Sequence, residues 1–111
     1  MNTIIVDRCF DKKDKSTQKV ILRGITKLQN RYEYYREAEC IFNDDILVHD
    51  IIEKKYFVYK CCVGKVQLRI LYFLDNETLI IISTYIKKKA TKEYIAFFER
   101  AAHDYEILQK R

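Results

Sequence analysis

The sequence predicts an α+β fold: an N-terminal helix or helical hairpin, an antiparallel β-sheet of three to four strands, and a C-terminal helix. Three observations predict it. Ile21, Ile25, Leu28, Tyr32 and Tyr35 recur at helical spacing. Three runs rich in β-branched and aromatic residues follow, "YFVYKCC", "VQLRILYFL" and "TLIIISTYI", separated by short gaps. Helical spacing then returns with Tyr94, Phe98, Ala101, Tyr105 and Leu108. At 111 residues the chain has the size of one domain, residues 1–111, and two glycines with no proline leave little room for linkers.

Each element has its own signal. "TIIV", Thr3 to Val6, is a candidate first strand. Ser16 and Thr17 are candidate N-caps of the first helix, which runs to about residue 35. Gly24 inside it costs about 1 kcal/mol relative to alanine. Residues 36–53 fit a short helix around Glu37 to Phe42 followed by an acidic loop. Gly64 and "DNE", Asp75 to Glu77, punctuate the strand runs, so those strands form consecutive hairpins. Thr91 can cap the last helix, whose apolar stripe should pack on the sheet.

Composition narrows the class. No apolar stretch approaches the roughly 20 residues a membrane-spanning helix needs. The apolar run near the N-terminus is too short for a signal peptide, so the expectation is a cytoplasmic protein. Cys9, Cys40, Cys61 and Cys62 lack the paired spacing of zinc ligands, and without a secretory signal they are expected as free thiols. No metal or cofactor is expected. Charge is unevenly placed. Residues 33–53 carry seven acids and one base, Arg36, whereas residues 54–92 carry nine bases, with Asp75 and Glu77 as the acids between them. That split suggests a surface built for an anion; the plainer alternative is a solvated basic face.

Strand parity places the cations. If the "DNE" loop pairs Leu74 with Thr78, then Leu68, Ile70, Tyr72 and Leu74 share a core face with Ile80, Ile82, Thr84 and Ile86. Gln67, Arg69, Ser83, Tyr85 and Lys87 then form a polar patch at one end of the opposite face, which keeps the Arg69 guanidinium out of the core. A two-residue turn at Gly64 sets Lys60 beside Arg69; a three-residue turn sets Tyr59 there.

The segment "LRILYFLDNETLIIISTYIKKKATKEYIAFFERA" resembles the C-terminal half of HigB-type toxins of the RelE/ParE superfamily. Those toxins show an "R-[VI]-L-Y-F" strand, a D-G or D-N turn, an apolar strand, and then "F-x-K-K" before an amphipathic helix. Arg69, Tyr72, Phe73, Asp75, Lys87 and Lys88 fall on those positions in order, and the resemblance covers about residues 56–111. Lys60 stands where an arginine is usual, Ser83 and Thr84 replace a His-Gly pair, and Ala90-Thr91-Lys92 replaces "T-P".

The resemblance implies a RelE/ParE-like fold and the toxin of a type II toxin–antitoxin system, a ribosome-dependent mRNA endoribonuclease that works without metal. Its partners would be a cognate antitoxin, often a helix-turn-helix protein, in a hetero-oligomer, and mRNA on the ribosome. Cleavage by 2′-hydroxyl attack needs a proton acceptor, stabilisation of a negative phosphorane and a proton for the leaving oxygen. On this reading Arg69, Lys87, Lys88 and Tyr85 form the catalytic set, and Lys60, Lys65, Gln67, Lys89 and Lys92 bind RNA. Arg69 suits phosphate because its planar fork matches two oxygens at once. Tyr85 can stack on a base or donate its hydroxyl. Tyr72 is expected to pack in the core, His49 to lie at the surface and His103 to serve the last helix structurally. Two other readings stay open: a ParE-like inhibitor of DNA gyrase, and a catalytically inactive binding module of the same fold.

Overall fold

The computed structural model of the chain describes residues 2–34, 45–49, 54–88 and 93–109, with the backbone alone for 34, 45–49, 54 and 55. In chain order the elements are β1 (Asn2–Ile5), α1 (Lys15–Tyr34), β2 (Asp45–His49), β3 (Lys54–Val63), β4 (Val66–Asp75), β5 (Thr78–Lys87) and α2 (Glu93–Gln109). The described strands form one five-stranded sheet in the order β1-β5-β4-β3-β2.

The α+β layout is the expected one, and the sheet is larger than expected. β1 runs parallel to β5, from Asn2↔Thr78 to Ile5↔Ile81, which makes the sheet mixed. Asp45–His49, within the expected acidic loop, pairs antiparallel with β3 instead. Its "ILV" core supplies the β-branched residues that the surrounding acids mask in a reading by charge. The short helix expected around Glu37 to Phe42 lies outside the described residues, as do Tyr35, Cys40 and Thr91.

α1 begins two to three positions earlier than Ser16 and Thr17 suggest, because Asp14 is the cap. Its Oδ1 accepts from the Thr17 backbone N–H at 2.7 Å and from the Ser16 hydroxyl at 3.0 Å. Hydrogen bonds from Thr17, and then from Ser16, hold the Asp14 carboxyl below its ordinary range. This contribution is present above about pH 4 and is lost as the pH falls through the lowered value. Ile21, Ile25, Leu28 and Tyr32 then bury one stripe of α1 against the sheet. Gly24 permits the close approach. A Cβ there would run into Leu68 Cδ2 and crowd Cys61 Sγ and Ile70 Cδ1, each at 3.4 Å. The helix propensity lost at Gly24 is therefore offset by proximity of helix and sheet.

Both hairpins close in two-residue turns. Gly64 takes φ 62° between Val63 and Val66, which puts Lys60 opposite Arg69. Asn76 and Glu77 take φ 48° and 63°, a type I′ geometry that pairs Asp75 with Thr78. That is one residue off the Leu74–Thr78 pairing, and it turns Ile80 away from α1. The shift does not persist. Tyr72 pairs with Ile81 but Leu71 pairs with Ser83, so Ile82 is the extra residue of a β-bulge. Beyond the bulge, Thr84 and Ile86 are opposite Ile70 and Leu68, on the face first expected.

Each sheet face carries a helix. α1 covers Phe57, Cys61, Leu68, Ile70, Tyr72, Leu79 and Ile81. α2 covers Tyr56, Val58, Leu71, Phe73, Ile80 and Ile82 with Tyr94, Phe98 and Ala102. Two covered faces explain why β4 and β5 each hold six consecutive buried residues rather than an alternation. The buried stripe of α2 is Tyr94, Phe98, Ala102 and Glu106, while Leu108 is exposed and Ala101 and Tyr105 are half-buried. A carboxylate reaches this core because Glu106 Oε1 accepts from the Tyr56 hydroxyl at 3.0 Å.

Burial raises the protonation equilibria of three groups that are neutral at pH 7. Desolvation first, then the bond to Glu106, pushes the Tyr56 hydroxyl well above its ordinary range. Desolvation, then Asp75, raises Tyr105, and desolvation raises the Cys61 thiol. A raised folded-state value means stability that is complete below the unfolded-state value and lost as pH rises through the folded one. The protein is therefore expected to lose melting temperature progressively above about pH 9, where exposed thiols and phenols begin to ionise. Thermal scans from pH 7 to 11 check this, and Tyr56→Phe should flatten the alkaline limb.

Candidate functional site

Cross-strand pairing builds the site from residues far apart in sequence. Lys60 on β3, Arg69 on β4 and Tyr85 on β5 form one row; Cys62, Gln67 and Lys87 form the next. Side chains directly opposite one another in an antiparallel pair share a face. Both rows lie on the α2 side, toward the end of the sheet away from the β4–β5 turn. Gln67, Lys60 and Cys62 are exposed and Lys87 is half-buried.

Arg69 departs from the expected open patch. It is only 8% exposed, because the N-terminal turn of α2 lies over it. Its guanidinium carbon sits 5.6 Å from the centroid of the Tyr94 ring, and Nη1 donates to the Leu68 carbonyl at 3.1 Å. Nε is buried without a hydrogen-bond partner among the described residues. Arg69 thus lies on the expected face but under a helix, which strand parity alone does not reveal. Its cross-strand neighbour Lys60 bears the same charge.

Tyr85 is half-buried and held by aromatic rings of α2: Phe97 at 5.4 Å, Tyr94 at 6.4 Å and Phe98 at 6.5 Å between centroids. Lys88, exposed, follows β5 and lines a cleft of about 450 Å³ together with Lys87, Tyr85, Thr84, Phe97 and Lys13. Lys65 is exposed in the β3–β4 turn at the same end of the sheet. Lys89 and Lys92 lie outside the described residues.

Two contributors were not apparent in the sequence. Lys13 comes from the β1–α1 loop, in the run "DKKDK", where alternating charge reads as solvated surface. Tyr94 shows a helical stripe signal but nothing that ties it to Arg69. Tyr72, as expected, is a core residue: it is fully buried, its hydroxyl is 3.0 Å from that of Tyr32, and it accepts from Arg31 Nη2 at 3.3 Å. Tyr32 is likewise core, and His103 lies half-buried on α2. Cys9, Cys61 and Cys62 are free thiols. Among the described residues no cluster of His, Cys, Asp and Glu is arranged to hold a metal ion, and no helix is long and apolar enough to cross a membrane.

Taken together, these rows gather cations and polar groups on one face of the sheet, an arrangement that can attract an anion. Comparison of the chain with protein-family models, with curated proteins and with solved structures finds no match.

Proposed function

We propose that the protein is the toxin of a toxin–antitoxin pair, a HigB-type endoribonuclease of the RelE/ParE superfamily that cuts mRNA on the ribosome. One observation carries the reading: Lys60 and Arg69 stand opposite each other on neighbouring strands, with Tyr85 in the same row and Gln67 and Lys87 in the next. Cations gathered on one face raise the local positive potential, and a phosphodiester is an anion that such a potential attracts.

In the reaction, the 2′-oxygen forms a bond to phosphorus and the bond to the 5′-oxygen breaks. A proton leaves the 2′-hydroxyl and a proton reaches the departing oxygen. Lys60, Arg69 and Lys87 would offset the charge of the phosphorane, and Lys88 and the Tyr85 hydroxyl, from residues lining the same cleft as Lys87, would carry the protons. The partner that silences it would be an antitoxin, in a hetero-oligomer.

A second reading has its own support. Arg69 lies beneath Tyr94 at 8% exposure, which shields its guanidinium from the scissile phosphate that cleavage would require it to meet. On that view the protein is a binding module of the same fold.

A reconstituted translation reaction separates these. The wild type is expected to cut transcripts, and Lys87→Ala to slow cutting roughly ten- to hundredfold, the worth of one charge-assisted hydrogen bond of about 1.5–3 kcal/mol. Intact transcripts with the wild type would remove the ribonuclease reading. Growth arrest with DNA damage instead would point to gyrase.

A further inference from the structure

We infer that the outer edge of the second half of β5 is a docking surface for an extended acidic segment of a partner protein, which adds there as a sixth strand. β1 covers only Thr78–Ile81 of β5, and its last contact is the bond from Val6 N to the Ile81 carbonyl at 3.0 Å. From Ser83 to Lys87, no strand among the described residues pairs with that outer side. Alternate residues there direct backbone N–H and C=O groups away from β4, the arrangement that accepts an added strand.

The surroundings select the occupant. At one end, Lys13, Lys87 and Lys88 converge on the cleft of about 450 Å³, with Glu93 the acid among its lining residues. At the other end, a cavity of about 530 Å³ is lined by Ile82, Phe97, Ala101, Ile107 and Leu108. Phe97 belongs to both and is 46% exposed, and Ile107 and Leu108 are 41% and 37% exposed. Around the apolar cavity the charges are mixed, Asp7 and Asp104 with Arg8 and Arg100. Net positive charge is thus confined to the lysine end. The fitting segment is extended, apolar in one half and acidic in the half that meets the lysines. It needs no RNA chemistry, so it stands or falls separately from the ribonuclease reading.

The test is fluorescence anisotropy with a labelled ten-residue peptide. One half is Ser, Leu and Val; the other alternates Glu with Val; the reversed sequence covers the opposite strand direction. One of the two is expected to bind. Methylating its backbone nitrogens at alternate positions should weaken binding at least about tenfold, because an added strand is held by main-chain bonds. Lys13→Glu and Phe97→Ala, both on the accessible side of the fold, should each weaken it about tenfold, with unchanged circular dichroism. Amides of Ser83–Lys87 should gain protection from hydrogen exchange on peptide addition. Equal binding of the methylated peptide would overturn the inference. So would no peptide binding together with Lys13-dependent binding of a ten-nucleotide oligouridylate. Self-association in sedimentation that Phe97→Ala abolishes would assign the edge to a second copy of the chain instead, and would equally overturn it.

Discussion

Phe98→Ala is expected to lower stability by about 3–5 kcal/mol, the cost of removing a large aromatic side chain from a core that relaxes only partly. Phe98 is fully buried in the N-terminal half of α2, with the rings of Tyr94 and Phe97 each 6.0 Å away and that of Tyr85 at 6.5 Å. The rings of Tyr94, Phe98 and Tyr85, with Phe73 and Ile82 on the sheet, belong to the cluster that fastens α2 down. For a domain of this size the loss corresponds to a fall in melting temperature on the order of 15 °C. Urea unfolding checks it through the midpoint at constant slope. The neighbouring Phe97→Ala is the control. Phe97 is 46% exposed and should lose less than about 1 kcal/mol. Equal losses from the two variants would mean that α2 does not seat its Tyr94–Phe98–Ala102 stripe on the sheet.

That same stripe shows what was legible in the sequence. Spacing identified α1 and α2 because 3.6-residue periodicity survives in their apolar residues, and Ile21, Ile25, Leu28, Tyr94 and Phe98 are buried. Periodicity could not place Glu106, since hydrophobicity assigns a carboxylate to water. The Tyr56 hydroxyl, fifty positions away in the chain, donates to it there. The hairpins were legible from turn residues, but the register was not. A two-residue turn instead of a three-residue one moves Ile80 to the other face, and no sequence signal marks Ile82 as a bulge.

The bulge also explains why the candidate site survived a wrong register. It adds back the residue that the tighter turn removed, so Ser83, Tyr85 and Lys87 return to the face of Arg69 and Gln67. The row was therefore readable, and its burial was not. Parity says which side of a sheet a residue takes. Whether a helix lies on that side depends on where residues after the lysine run resume, and Tyr94 resumes directly over Arg69.

Arg69→Met is expected to raise stability by about 1–3 kcal/mol while reducing transcript cleavage by about a hundredfold or more. The two effects have one cause. The guanidinium is taken out of water at 8% exposure, receives one hydrogen-bond acceptor, the Leu68 carbonyl, and leaves Nε unsatisfied among the described residues. The Tyr94 ring returns about 0.5–2 kcal/mol, less than the several that desolvating an ion costs. Methionine keeps the unbranched stem and packs under Tyr94 without the charge, so urea unfolding should show a higher midpoint. A residue retained only for structure would give the reverse, a loss of stability with methionine and no specific loss of cleavage. Lower stability combined with normal cutting would therefore remove Arg69 from the site, and would leave Lys60 and Lys87 as its cations.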